Sequence, residues 1–141
     1  KALAEDMIQT MYDNNGIGLA APQMNKKLRF IVLDVSGPEE RTSLMTLANP
    51  RIVEASGEEE SEEGCLSVPN IRTNVTRADK VTVQAQELDG TSRTIEAEGL
   101  LAVCLQHEID HLNGVLIVDH MSRLKRTMYD KKVKKWLKQQ N

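Results

Sequence analysis

Two histidines one helical turn apart are the residues in this sequence best placed to do chemistry. His107 and His111 flank Glu108 in a segment, residues 106–111, that reads QHEIDH. On a helix, residues four apart share a face, so both imidazoles can reach one divalent metal. A metal with three protein ligands keeps an open position for water, which is typical of metal-assisted hydrolysis, and Glu108 stands ready as the base. The motif also arises by chance in helices, so a third ligand is needed to support a metal site.

The third ligand is not found downstream of this motif. No glutamate follows Glu108, which excludes the metalloprotease arrangement with a later Glu ligand. The extended pattern HExxHxxGxxH has Ile117 at the position of its last histidine. Cys104 lies on the same predicted helix, but it would be about 10 Å from His111 along the axis. Cys65 is the better candidate, and a buried, inert cysteine is the alternative interpretation.

Helices are predicted from the spacing of apolar residues and from stop signals. An amphipathic helix is expected over residues 2–14, and the helix that carries the histidine motif over about 99–112. A brief apolar strand is expected over 115–118. A last helix is expected from Ser122, whose residue type suits an N-cap, to about residue 138.

Strands are predicted between the first helix and the motif helix. The expected ranges are 29–35, 46–55, 64–68, 80–88 and 92–97. Asp89-Gly90 separates the last two and indicates a hairpin. The Glu-rich stretch 57–63 is interpreted as a solvated loop.

Composition and charge narrow the classes of protein. A chain of 141 residues is long enough for one domain, expected to span 1–141, and its two cysteines lie in different motifs. With no membrane-spanning run and no signal peptide, the expected compartment is a reducing one. The formal net charge is −3, yet residues 121–141 carry eight Lys or Arg and one acidic residue. This basic segment is either a solvated helix packed on the domain or a site of attraction to a polyanion.

Three segments of the sequence resemble the motifs of the peptide deformylase family, in the family's order and at plausible spacing. They are GIGLAAPQ at residues 16–23, EGCLS at 63–67 and QHEIDH at 106–111. The resemblance implies an α+β fold with antiparallel sheets packed around a central motif-bearing helix, and with N-terminal and C-terminal helices, the latter typical of the bacterial form. The family usually begins with a further segment that contains a strand, so that part of the fold is expected to be missing here.

The resemblance also implies an activity and a set of roles. The enzyme would remove the N-formyl group from formyl-methionine at the start of nascent polypeptides and release formate. A metal-activated water would attack the formyl carbonyl, with Glu108 as general base and then acid. The metal ligands would be Cys65, His107 and His111, and the oxyanion would be bound by the side-chain amide of Gln23 and the backbone N–H of Leu66.

Substrate binding is expected at residues beside the proposed metal site. One face of the predicted helix contains Leu100, Val103, Cys104 and His107. The simplest interpretation is that this face packs in the hydrophobic core. By resemblance, part of it, together with Ile17, lines the pocket for the methionine side chain. The Gly-Ile-Gly backbone of the first motif would let an extended peptide pair as an added strand. The expected substrate-binding residues are Ile17, Gly18, Gly64, Leu100, Val103 and Cys104.

The cofactor and partners follow from the same resemblance. One divalent metal per chain is expected, natively Fe²⁺, with Zn²⁺, Ni²⁺ or Co²⁺ able to substitute. The expected partners are formyl-methionyl nascent peptides and, through the basic C-terminal helix, the ribosome, with no DNA and no membrane. The protein is expected to be a monomer in the bacterial cytoplasm. Two other classes stay open: a metallopeptidase that cleaves internal peptide bonds, and a metal-stabilised binding module in which Glu108 is dispensable.

Overall fold

The fold is described by a computed structural model for residues 2–65 and 68–115, together with Lys131 and Lys134, with the backbone alone at 64, 65 and 68–73. The helices are α1 (Ala2–Asp13), a 3₁₀ turn (Ala21–Met24), the short α2 (Gly37–Glu40) and α3 (Leu100–Leu112). The strands are β1 (Gly18–Ala20), β2 (Phe30–Leu33), β3 (Met45–Ser56), β4 (Glu59–Cys65), β5 (Val68–Arg77), β6 (Lys80–Gln86) and β7 (Ser92–Glu98).

The strands form two antiparallel sheets. The larger has the order β1-β2-β3-β6-β7, and the smaller is a ribbon of β4 and β5. Every residue of β2 is buried. Ile31 and Leu33 pack in the core beneath α3, whereas Phe30 and Val32 pack against α1. A strand covered on both faces reads as a continuous apolar run, which explains why β2 shows no polar alternation.

The predicted α+β architecture is confirmed. The helix expected at 2–14 is α1, which buries Met7 and Met11 and ends where the Gly16 N–H bonds the Met11 carbonyl at 2.8 Å. The motif helix is α3, and β6 and β7 form the expected hairpin with Gly90 at φ +89°. Val115, the first residue of the strand expected at 115–118, is not in a strand, and the rest of that range lies outside the described residues. The helix expected at 122–138 also lies outside them, except that Lys131 and Lys134 are helical. No helix among the described residues has both the length and the apolar character needed to cross a lipid bilayer.

The interpretation of residues 57–63 as a loop is wrong from Glu59 onwards, where β4 begins. Strand β4 pairs with β5 from Glu59 opposite Arg77 to Cys65 opposite Val68, and β5 was not predicted beyond its first residue. The acidic side chains alternate along β4, since Glu60 and Glu62 are exposed while Glu63 is buried. The period of two allows charges on the solvent side of a strand, so a high charge density did not exclude pairing.

A buried aspartate ties α1 to the loop after β2. Asp34 is fully buried and accepts a hydrogen bond from the Tyr12 hydroxyl at 2.6 Å. Its other oxygen accepts from the backbone N–H and the hydroxyl of Ser36. Burial, together with the hydrogen bond to Asp34 and its negative charge, raises the pKa of Tyr12 to about 12. Neutral Tyr12 therefore stabilises the anchor between α1 and this loop.

Replacing Tyr12 with Phe is expected to lower the free energy of unfolding at pH 7 by about 1.5–3 kcal/mol, because the buried Asp34 carboxylate loses a donor. A pKa raised from 10.0 to about 12 contributes stability that is complete below pH 10 and is lost as the pH rises towards 12. The difference in the free energy of unfolding between the unaltered protein and Tyr12→Phe should therefore become smaller above pH 10. Urea denaturation at pH 7, 9 and 11 measures it, and a difference that stays constant across this range would contradict the assignment.

Candidate metal centre

The two histidines of α3 turn the same ring nitrogens towards one another. The Nε2 atoms of His107 and His111 are 3.1 Å apart. The rings meet edge to face, with centroids 4.9 Å apart and an angle of 67° between their planes. Spacing of i and i+4 places both side chains on one face of the helix, as the sequence predicts. Two imidazole nitrogens that converge on one point are the arrangement a shared divalent metal requires.

The other nitrogen of His107 is held by a carboxylate from the ribbon. Nδ1 of His107 lies 2.9 Å from Oε1 of Glu63, on β4. An ionised carboxylate accepts a hydrogen bond, so the imidazole proton sits on Nδ1 and the lone pair of Nε2 faces His111. Metal-binding histidines in proteins are commonly oriented by such a carboxylate. The donor set therefore fits a divalent metal, because the bond to Glu63 fixes the direction of the His107 ring and leaves Nε2 on the side of His111.

The charge of Glu63 is maintained by Arg77 at the end of β5. The guanidinium donates to both carboxylate oxygens, from Nε at 2.9 Å and from Nη2 at 2.7 Å. Burial by itself would raise the pKa of Glu63, but the hydrogen bonds from Arg77 and His107 outweigh it and hold the pKa at about 2. Glu63 is therefore an anion throughout the physiological range.

Arg77 also reaches the motif helix. Its Nη1 donates to Oδ2 of Asp110 at 2.5 Å. Ala78, the residue after Arg77, is also bonded to α3. The side-chain amide of Gln106 accepts a hydrogen bond from the Ala78 N–H at 2.9 Å and donates one to the Ala78 carbonyl at 2.8 Å. The end of β5 is thus bonded to α3 at two successive residues.

Glu108 is buried beside the histidine pair. Its side chain and the two imidazoles offer ligand atoms that all lie within 4.8 Å of one another, and Glu108 is 4 % exposed. A solvated position on an amphipathic helix, the plain alternative for this residue, is therefore excluded. A Cβ added to Gly18 would stand only 2.4 Å from Oε2 of Glu108. The backbone of β1 thus lies directly against the carboxylate, and only glycine leaves room for it.

Gln23 lies on the 3₁₀ turn that follows β1. Its Oε1 accepts a hydrogen bond from the Ala20 N–H at 2.8 Å. This bond fixes which end of the amide is the oxygen and leaves the NH₂ group as the donor end. The orientation suits the role predicted for Gln23, which is to donate to an oxyanion.

Cys104 is not brought to the histidine pair as a ligand, in agreement with the axial distance argument. Its thiol donates to the Ile17 carbonyl, with Sγ and O 3.6 Å apart. Burial, reinforced by the charges of Glu108 and Glu63, raises the pKa of the Cys104 thiol well above its usual value. Val103 is buried next to it, while Leu100 at the start of α3 is 55 % exposed. The predicted substrate face thus runs from buried to exposed along the helix.

The remaining predicted site residues belong to the second motif. Leu66 lies outside the described residues, and Gly64 and Cys65 are described in their backbone only. Strand β4 ends at Cys65, two residues after Glu63. Two residues of a strand span about 7 Å, so the Cys65 backbone is close to the carboxylate that holds His107.

Sequence reasoning did not identify Glu63, Arg77, Asp110 or Gln106 as parts of the site. Glu63, Gln106 and Asp110 lie within the motif segments 63–67 and 106–111, so membership of a motif could have identified them. Arg77 lies in no motif, and its sequence neighbours give no indication that its guanidinium contacts α3.

Comparison with known proteins agrees with this geometry. A family model described as polypeptide deformylase matches residues 1–127. The peptide deformylase of Desulfosudis oleivorans is 51 % identical over 138 residues, which are 97 % of this chain and 80 % of that protein. The peptide deformylase of Chromobacterium violaceum is also 51 % identical, over 135 residues, with 96 % and 80 % covered.

A solved structure supports the same relationship. The crystal structure of a peptide deformylase from Legionella pneumophila superposes with a TM-score of 0.90 at 50 % identity, covering 99 % of this chain and 81 % of that one. Sequence, fold and the histidine pair agree, and the chain therefore belongs to the peptide deformylase family, whose members are metal-binding hydrolases that act on formylated peptides.

Proposed function

We propose that this chain removes the N-formyl group from formyl-methionine at the N terminus of nascent polypeptides and releases formate, using one divalent metal held by Cys65, His107 and His111. The observation that carries the proposal is the convergence of the two Nε2 atoms, 3.1 Å apart, beside the buried carboxylate of Glu108. The carboxylate of Glu63 supports it by fixing the His107 tautomer.

The bound metal would supply two things, a water acidified to near-neutral pKa and a Lewis acid for the formyl oxygen. Glu108 takes a proton from the water as the water oxygen forms a bond to the formyl carbon. The carbon–nitrogen bond then breaks, and Glu108 delivers the proton to the departing nitrogen, which leaves as an amine. The products are formate and a peptide with a free N terminus.

The negative charge that develops on the formyl oxygen would be bound by two donors of the chain. The amide NH₂ of Gln23 is one, and its orientation is set by the Ala20 N–H. The backbone N–H of Leu66 is the other. Removing one such donor typically raises the barrier by about 3–4 kcal/mol.

The substrate would bind as an additional strand. Strand β1 pairs with β2 along one edge only, and it is the outermost strand of the larger sheet as described. An extended peptide can pair with such an edge, with side-chain pockets giving specificity. The backbones of Ile17, Gly18 and Gly64 would contact the peptide. The pocket for the methionine side chain would be lined by Ile17, Leu100, Val103 and Cys104.

Fe²⁺ is proposed as the native metal, with Zn²⁺, Ni²⁺ or Co²⁺ as substitutes. A thiolate with two imidazoles suits both zinc and ferrous iron by ligand softness.

We propose that the protein acts as a monomer in the bacterial cytoplasm. The eight basic residues within 121–141 would bind ribosomal RNA, so that the enzyme meets chains as they emerge, and co-sedimentation with ribosomes that falls as salt rises would support this.

The proposed function is tested by formate release from a formyl-methionyl peptide, using protein purified without oxygen and loaded with Fe²⁺. The expected result is one formate for each new free amine, with no cleavage of internal bonds in an unformylated peptide of the same sequence. Cleavage of that peptide without formate release would favour the metallopeptidase. Stoichiometric metal binding without turnover of either peptide would favour the binding module.

Replacing Gly18 with Ala is expected to lower kcat about 10²-fold with a smaller change in KM, because the methyl group displaces the Glu108 carboxylate. The backbone φ of Gly18 lies outside the left-handed region, so alanine adds no backbone strain there. Steady-state kinetics together with thermal unfolding measure the effect. The control is the same substitution in a Glu108→Ala background, where no further loss of kcat should occur. An equal loss in both backgrounds would show that Gly18 acts by another route.

A further inference from the structure

We propose that Arg77 is a positioning residue of the metal centre, because it joins the two elements that carry the three proposed ligands. Cys65 is on β4 and the two histidines are on α3. From β5, Arg77 bonds Glu63 of β4 and Asp110 of α3. The inference rests on the proposed metal site and assigns to it the residues that set its geometry.

The geometry of the guanidinium suits this task. Arg77 is 5 % exposed, and three of its N–H groups donate to two carboxylates on different elements. The planar fork fixes the angle between the bonds to Glu63 and the bond to Asp110. A lysine ammonium at the same place carries the charge without this fixed angle. Arg77 therefore sets the separation of β4 from α3 as well as neutralising charge.

The bonds continue from Arg77 to a proposed ligand. Glu63 Oε1 accepts from Arg77 Nη2 at 2.7 Å and from His107 Nδ1 at 2.9 Å. The same carboxylate oxygen therefore lies between the guanidinium and the imidazole. If Arg77 shifts, Glu63 shifts, and the His107 ring loses the partner that fixes its rotation. Substitution of a carboxylate that contacts a metal-binding histidine typically lowers metal affinity or activity by 10–100-fold.

The test measures release of Co²⁺ from the loaded protein into excess chelator, followed by the visible absorption of the bound ion. Arg77→Lys is expected to release Co²⁺ about 10–100 times faster than the unaltered protein, with an altered visible spectrum. The matched control is Arg93→Lys, which alters a surface ion pair between Arg93 and Glu87 at 2.9 Å. This control should release Co²⁺ at the unaltered rate.

A second variant keeps the inference testable if Arg77→Lys does not fold. Asp110→Asn removes the negative charge of one of the two carboxylates that hold the guanidinium, at a side chain that is 26 % exposed. It should release Co²⁺ several times faster. The proposed connection from Arg77 through Glu63 to His107 is tested in a Glu63→Gln background. There, Arg77→Lys should increase the rate of Co²⁺ release by a smaller factor than it does in the unaltered protein. Additive effects would contradict this route.

The outcomes separate the inference from the proposed function. If the unaltered protein does not take up one Co²⁺ per chain, the proposed metal site is wrong. If it does, and folded Arg77→Lys and Asp110→Asn both release Co²⁺ at the unaltered rate, Arg77 is a structural ion pair only and the inference is overturned.

Discussion

Replacing Glu108 with Gln is expected to lower kcat for formate release by about 10²–10⁴-fold, because the amide cannot accept the proton of the attacking water. Glutamine has nearly the same size as glutamate, so the space beside Gly18 stays filled. The proposed metal ligands are the two imidazoles and the Cys65 thiolate, and the metal content should stay at one per chain. Steady-state kinetics and metal analysis of the same preparation measure both quantities.

The control for this substitution is Glu96→Gln, at an exposed position on β7. It removes the same charge from the solvent-facing side of a strand and should leave kcat unchanged. A Glu108→Gln protein that holds its metal and releases formate at the unaltered rate would remove Glu108 from the mechanism. Loss of metal together with activity would instead indicate that Glu108 serves the site as a ligand.

Replacing Cys65 with Ala is expected to abolish formate release through loss of the metal. Binding free energies of structural zinc sites are about 10–16 kcal/mol, so loss of one of three protein ligands should cost roughly 3–5 kcal/mol, or about 10²–10⁴-fold in metal affinity. Metal content after dialysis, and activity as a function of added Fe²⁺, measure the effect. High metal concentration should restore part of the activity, since the two histidines are retained.

The matched control is Cys104→Ala, because the chain contains two cysteines. The Cys104 thiol donates to the Ile17 carbonyl and is buried, so its removal should affect packing and leave metal content unchanged. If Cys104→Ala lost the metal and Cys65→Ala kept it, the assignment of the third ligand would be reversed.

Both predictions depend on residues that local sequence patterns could identify. The i, i+4 histidines on a helix, the glutamate between them and the helix stop at Asn113 and Gly114 are properties of a short segment. The hairpin of β6 and β7 follows from Asp89-Gly90 and flanking alternation, and the helix α1 from its apolar spacing. Such features depend on neighbours within a few residues, so their physical causes are present in the sequence itself.

The ribbon of β4 and β5 illustrates what local patterns could not give. By composition, the Glu-rich stretch that contains its first strand resembles a solvated loop. What forms the strand is pairing with β5, a segment that gave no clear strand pattern of its own. Strand pairing is decided by the partner and by burial of one face, and neither is visible in a single segment.

Residue identity and spacing determined the chemistry available to this protein: two imidazoles one turn apart, a carboxylate between them, a cysteine in another motif and a glycine-rich segment. Only the tertiary structure decided that Gly18 would lie against Glu108, that Glu63 would hold the Nδ1 proton of His107, and that Arg77 would bond both Glu63 and Asp110, which is 33 residues further along the chain from Arg77. Contacts of this kind are absent until the sheet, the ribbon and α3 pack together, because the groups that make them come from separate elements and are exposed to water in the unfolded chain.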